Sequence, residues 1–446
     1  MAAGALAVPA RPPVAAVLGR ALDPAWLLAL GVLLAPLAGY WDRVGVPGPV
    51  SPDRLLLITG LVLVLVRPRD GSEVVLLRLR PLRVLLLMAA LYALGSAAAA
   101  GTLLDKDAAF RLLEAYGLVP FAVFSAAPYA FATVRRRRVL LGVMIALGVY
   151  LGLTALFETL GLRGLVFPRY ITDPDLPRHL GRARGPFVEA VANGAAMFAC
   201  AACALIALRT WPARAAQVAS ATALVLCGAG LVFTLQRSVW LGALVATLVT
   251  VASIPGLRRH LLTALVGLAV IGGAAFLAVP ADRVQARAGD QQTIWDRQNM
   301  NGAAVRMIEE RPLVGFGWAT FPHASVAGDY FRQAPNRPLT AAGLDVHNVL
   351  LSHGAELGLV GMTLWLAALG AALAAGLRAP APTAEQQAWR AALLAFAVFY
   401  AVMANFVPPQ LFPNLLFWLF ACVACAGHLG GTSGAAIHSP RGRKRR

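Results

Sequence analysis

"DVHNVLLSHGAELGLVGMTLWLAALGAALAAGLR", residues 345–378, opens with polar residues and continues as an apolar run. A bilayer core needs roughly 20 apolar residues in a helix, and this run is long enough to supply them. Similar runs recur along the chain. Of its 446 residues 59% are hydrophobic and only 13% charged, far more apolar than a soluble protein. The chain therefore reads as an all-α integral membrane protein crossing the bilayer many times. The formal charge of +18 does not point to nucleic acid, because most arginines lie in short segments between apolar runs and not in a separate basic domain.

Hydropathy places spans near Leu30, Leu61, Ala90, Phe121, Leu151, Phe198, Leu226, Val245, Val270, Leu364, Phe396 and Leu419, about twelve in all. An even number returns both termini to one side, and the tail "RGRKRR" (Arg441–Arg446) marks that side as cytoplasmic. Connections assigned to the same side carry "RPRD" and "RLRPLR" (67–83), "RRRR" (135–138), "RTWPAR" (209–214), "LRRH" (257–260) and the stretch 378–390. More than half of the 39 basic residues fall there, counting the tail. Residues 1–446 thus form a single polytopic domain, with 429–446 as a basic cytoplasmic tail. The N-terminal segment lacks a cleavage site and is expected to be retained.

Two long connections are expected on the opposite side, 161–187 and 280–346. Both contain aromatic residues and helix-like stretches, so both are expected to be ordered. In the second, "TIWDRQNMNGAAVRMIEERP" predicts a helix lying at the membrane surface and stopped by Pro312. All five cysteines sit in apolar runs, where packing is the natural reading. "DPD" (173–175) reads as a turn, and Glu158 as an interfacial residue near the end of a span. There is no nucleotide-binding fingerprint or zinc spacing, which argues against ATP or nucleotide sugars as direct substrates.

"HNVLLSHGAELGLVG" carries the pattern His-Asn, nine residues, Gly-x-x-Gly, which resembles the signature of bacterial O-antigen ligases. These belong to a superfamily that includes O-antigen polymerases and protein O-oligosaccharyltransferases. "RSVWL" (Arg237–Leu241), "GRARGPF" (Gly181–Phe187) and "RMIEERPLVGFGWATF" (Arg306–Phe321) resemble other elements of that family in the same order. The resemblance covers about Arg182 to Gly361. It implies a GT-C-like architecture in the bacterial inner membrane, with the active site facing the periplasm. The donor would be a glycan on undecaprenyl pyrophosphate and the acceptor a lipid A-core sugar. A polymerase or a protein O-oligosaccharyltransferase is the alternative. A transporter or flippase would instead need charged or broken midplane segments in both halves, and a scaffold would leave the ordered Arg and His elements unexplained.

Departure of a polyprenyl pyrophosphate develops negative charge that fixed guanidinium groups can receive through bidentate hydrogen bonds. Arg184, Arg237 and Arg306 are the first candidates for that clamp, with Arg182 and Arg311 in reserve. Each has a plain alternative: interfacial snorkelling for Arg237, an ion pair with Glu310 for Arg306, a solvated basic loop for Arg184. His347 is the candidate base for the acceptor hydroxyl, kept neutral by the positive end of the helix beginning beside it. Asp345 is expected to cap that helix or orient the ring, and Asn348 to hold a sugar hydroxyl. His353, roughly 240° around the helix from His347, is expected to be packed or paired with Glu356. Gly358 and Gly361 are expected to let a neighbouring helix approach. One base with several cations, and no carboxylate pair, points to metal-independent, inverting transfer without a cofactor.

Overall fold

The computed structural model describes residues 23–46, 48, 50–66, 79–176, 179–254, 256–288, 291–338 and 343–426. The tail 429–446, Arg11, Arg20 and most of the 67–83 segment lie outside the described residues. The described chain is all-helical. It runs through α1 (Pro24–Leu34), α2 (Pro52–Val66), α3 (Arg80–Ala99), α4 (Lys106–Phe110), α5 (Leu118–Ala130) and α6 (Val134–Thr159). After the first long connection come α7 (Ala190–Thr210), α8 (Arg214–Phe233), α9 (Arg237–Ser253) and α10 (Leu261–Leu277). The second long connection holds α11 (Ala281–Ala288), α12 (Gln291–Glu310) and α13 (Ala324–Arg332). The bundle closes with α14 (Val349–Arg378), α15 (Ala384–Ala404) and α16 (Leu411–Cys425).

All twelve hydropathy centres fall on helices. Among the described residues eight helical stretches are long and apolar enough to cross a membrane, and those around Leu30, Leu61, Val245 and Leu419 are shorter. The starts follow from local chemistry. Thr133 accepts from the Arg136 amide at the head of α6, and Thr383 with Gln386 forms a capping box on α15. Gly117, at φ 127°, separates α5 from the π-helical turn Arg111–Tyr116 that continues α4. α12 ends at Glu310, two residues before Pro312, as the sequence predicts.

Helix-end contacts sort the connections into two sets. At one end, Arg136 of α6 bonds Asp23 before α1 at 3.2 Å, and Arg137 pairs with Glu385 of α15 at 2.8 Å. The arginine-bearing connections around 135, 211, 258 and 380 share this end. At the other end Ala183 donates to the Phe233 carbonyl, Tyr40 stacks on Tyr170, and Thr102 donates to the Trp318 carbonyl. Both long connections gather here.

The sequence reading of Gly358 needs correction. α14 is broken at this residue, whose φ of 68° and ψ of −179° lie outside helical space. An added Cβ would sit 2.2 Å from the Leu313 carbonyl oxygen, so the close neighbour is the backbone of the second long connection and not another helix. The break frees main-chain groups that residues 312–317 then satisfy. Phe316 and Gly317 amides donate to the Ala355 and Glu356 carbonyls, while Leu359 and Val360 amides donate to Pro312 and Leu313. Tyr92 of α3 donates to the Leu357 carbonyl at 2.9 Å. Such substitution is what lets a helix break persist in an apolar span. Gly361 does face a helix: its Cβ would meet the Tyr92 ring.

Candidate active site

His347 stands two residues before α14, where the second long connection becomes a span. Its Nδ1 lies 3.1 Å from the Asp345 carbonyl oxygen. A carbonyl only accepts, so Nδ1 carries the proton and Nε2 of the neutral ring keeps its lone pair. Burial pushes the imidazole pKa below its ordinary value. The Asp345 carbonyl bond opposes this, the nearby charge of Arg297 adds to it, and Glu189 and Asp345 pull the other way. The ring is therefore oriented and biased toward the basic form.

Asn348, not Asp345, is the helix cap. Its Oδ1 accepts from the Leu351 amide at 3.1 Å, and its amide reaches the Asn405 carbonyl at the end of α15 at 3.5 Å. Asp345 turns its carboxylate to Arg111, 2.9 Å away, in the π-helical turn. Arg111 also lies 3.6 Å from Glu356, which is completely buried and accepts from the Phe321 amide. The guanidinium stands over the Trp318 ring, 5.6 Å from its centroid. One arginine thus ties the residues before His347 to the upper half of α14 and to residues 318–321. His353 is packed rather than paired: fully buried, it meets Trp365, Tyr116 and Trp318 at ring-centroid distances of 4.8 to 6.0 Å.

The candidate arginines divide into different environments. Arg237 is exposed in the first turn of α9, at the same end of the bundle as His347. Arg306 on α12 donates to the Tyr330 carbonyl at 2.7 Å. Glu310, offered as its alternative partner, instead accepts from the Tyr330 hydroxyl at 2.5 Å. Arg311 is exposed and stacks on Phe316 at 4.5 Å, and Arg182 is half-buried in the first long connection. Arg184 departs from the expected role. It is wholly buried, and its guanidinium donates to the carbonyls of Ile171, Leu176 and Asp173. Glu158 completes this knot by accepting from the Arg184 and Gly185 amides. Arg184 folds the first long connection, and Glu158 anchors that connection to α6.

Residues 222–366 match the family model for O-antigen ligase. The O-antigen ligase match spans about a third of the chain and takes in Arg237, Arg306, Arg311, Asp345, His347, Asn348 and both motif glycines. It supports a membrane protein of the O-antigen ligase and polymerase superfamily, whose members handle lipid-linked glycans. No curated protein matches the chain.

Sequence reasoning missed Arg111, Arg297 and Glu189 around His347, and gave Glu356 to His353 when its partner is Arg111. Arg111 had one visible signal, a cation in the apolar segment "AAFRLLEAYGLVPF" with an acid only three residues away. Glu356 had another, as an acid inside the His-Asn/Gly-x-x-Gly element. Their pairing was invisible because 245 positions of chain separate them.

Proposed function

We propose that the chain is an inner-membrane glycosyltransferase that moves an O-antigen glycan from undecaprenyl pyrophosphate to a lipid A-core sugar. The observation that carries this reading is His347, held in one tautomer by the Asp345 carbonyl inside the family-matched stretch. Nε2 takes the acceptor hydroxyl proton as the oxygen forms its bond to the anomeric carbon. The bond from that carbon to the pyrophosphate oxygen breaks, and its electron pair leaves with the phosphate. A single displacement of this kind inverts the anomeric centre.

Arg237, Arg306, Arg311 and Arg182 are assigned to the departing pyrophosphate, Arg237 first because it is exposed at the head of a helix whose dipole also favours an anion. Arg184 is removed from the clamp and becomes part of the loop that supports it. Fixed guanidinium charge takes the place of a divalent metal in this scheme. The arginine-rich end of the bundle faces the cytoplasm under the positive-inside rule, which sets the site toward the periplasm.

The test is transfer by purified protein in detergent, using polyprenyl-pyrophosphate glycan and lipid A-core with no ATP or gradient. Release of the carrier lipid with product formation, undiminished by EDTA, is expected. Transport of the donor without carrier release would overturn the enzyme assignment. Transfer only onto a second lipid-linked glycan, or onto protein, would replace the acceptor while keeping the chemistry.

A further inference from the structure

The arginine run 135–138 at the opposite end of the bundle holds two different pairs. Arg136 is bound to Asp23, and Arg137 to Glu385 and to the Phe131 and Ala132 carbonyls. Arg135 and Arg138 are exposed and have no ion pair among the described residues. Both stand on the rim of an open cavity of about 680 Å³ between α1, α6 and the turn from α7 to α8.

The lining of this groove changes along its length. Trp26 of α1, Arg135, Arg138, Trp211 and Pro212 lie at the ends of their elements. Leu33, Val143 and Ala146 lie deeper along the same helices. On α6 the lining positions 135, 138, 139, 142, 143 and 146 recur at helical spacing, so one stripe passes from cationic to purely apolar over about 16 Å. Two indoles flank the cationic end, as tryptophans do at a membrane interface. Trp211 also keeps a buried Nε1–H with no acceptor among the described residues. A stripe that is cationic at the surface and apolar below it matches a phospholipid, with phosphate outermost and acyl chain inward.

We infer that this groove is a binding site for one anionic phospholipid of the leaflet at the arginine-rich end. The phosphate bridges Arg135 and Arg138, and an acyl chain lies along Leu33, Val143 and Ala146. Anionic headgroups are selected because two guanidiniums with no ion pair among the described residues face one phosphate, and a zwitterionic lipid would bring its own ammonium beside them. The site is separate from the His347 end, so its occupancy bears on anchoring and not on transfer chemistry.

Native mass spectrometry of the full chain, released from vesicles of phosphatidylglycerol and phosphatidylcholine, tests this. One retained phosphatidylglycerol is expected. Arg135→Gln with Arg138→Gln should weaken it about thirtyfold, at roughly one surface-charge interaction each. Gly142→Leu should also expel it while leaving every charge in place, since a Cβ there meets only the Trp211 ring at 3.9 Å. Arg258→Gln with Arg259→Gln, at the same end but off the groove, should retain it. If the double arginine variant fails to fold, Gly142→Leu decides alone. Retention in the groove variants, equal loss in the Arg258 and Arg259 control, or equal retention of phosphatidylcholine overturns the site. A photo-crosslinker at Ala146 that captures residues 1–22 or 67–78 of the chain instead of lipid overturns it as well.

Discussion

The two halves of α14 share one helix and differ in nearly everything else. Above Gly358, the N-cap Asn348 and residues 349–357 are tied to three other segments: Asn348 to α15, Glu356 to Arg111, and Ala355 and Glu356 carbonyls to Phe316 and Gly317. Below it the helix runs to Arg378 with a lipid-like composition and several exposed apolar side chains, among them Leu366. The difference teaches where specificity resides. Past its first turn and the Trp365 indole, which donates to the Tyr116 carbonyl at 3.3 Å, the lower half is held by apolar packing, whereas the upper half needs particular polar atoms at particular places.

The sharpest way to break this comparison is to make the same substitution in both halves. Gly358→Ala puts a Cβ into the Leu313 carbonyl and forces alanine into glycine-only backbone, at a cost of at least about 3 kcal/mol. Gly370 has nothing within 4 Å of its Cβ position, so Gly370→Ala should be neutral or stabilising by up to about 1 kcal/mol. Membrane yield and melting temperature in detergent should fall sharply for the first and hold for the second. Equal tolerance would remove the break from the account.

The two histidines give the next contrast. His347→Ala should lower transfer by about 10²- to 10⁴-fold while the protein still accumulates and binds donor. His353→Phe keeps an aromatic ring in the Tyr116, Trp318 and Trp365 cluster and should retain most activity. Equal loss in both, at equal protein level, would make the motif a packing seam only.

Arg111 sharpens the comparison in stability rather than rate. Arg111→Met leaves Glu356 buried without its cation and should cost about 3 kcal/mol. Adding Glu356→Gln should recover part of that loss, because the stranded charge is gone. A strictly additive double variant in thermal melts would dissolve the proposed tie.

The smallest effect expected is a shift in pH profile. A base must be neutral to work, and burial holds His347 below the ordinary 6.5, so transfer should be flat near neutrality and fall on acidification through an inflection below that value. Arg297→Gln removes a nearby positive charge, eases protonation, and should move the inflection upward. An unmoved inflection would mean that another group titrates.

The fold was legible in residues such as Leu151 and Leu364 because hydropathy is a local property, and each span reports its own presence. The twelve centres fall on helices for that reason. The His-Asn element was legible because its residues are close in sequence. Arg184 was misread because an arginine in a Gly- and Pro-rich loop looks the same whether it faces a ligand or three carbonyls of its own loop. Arg111 was passed over, and Glu356 was offered to His353 instead, because an ion pair across 245 positions has no sequence period. Gly358 was seen but assigned the wrong partner, since a glycine that admits a helix and one that admits a backbone strand leave the same letter.

The break at Gly358 makes the upper part of α14, residues 349–357, a short arm about 14 Å long, mounted on a joint. The joint is clasped by residues 312–317, which belong to the connection and not to the bundle's apolar wall. The height and tilt of the imidazole are therefore set by that clasp together with the Asp345–Arg111 and Asn348–Asn405 ties. A thicker or thinner bilayer tilts the helix below it, on the far side of the joint from His347.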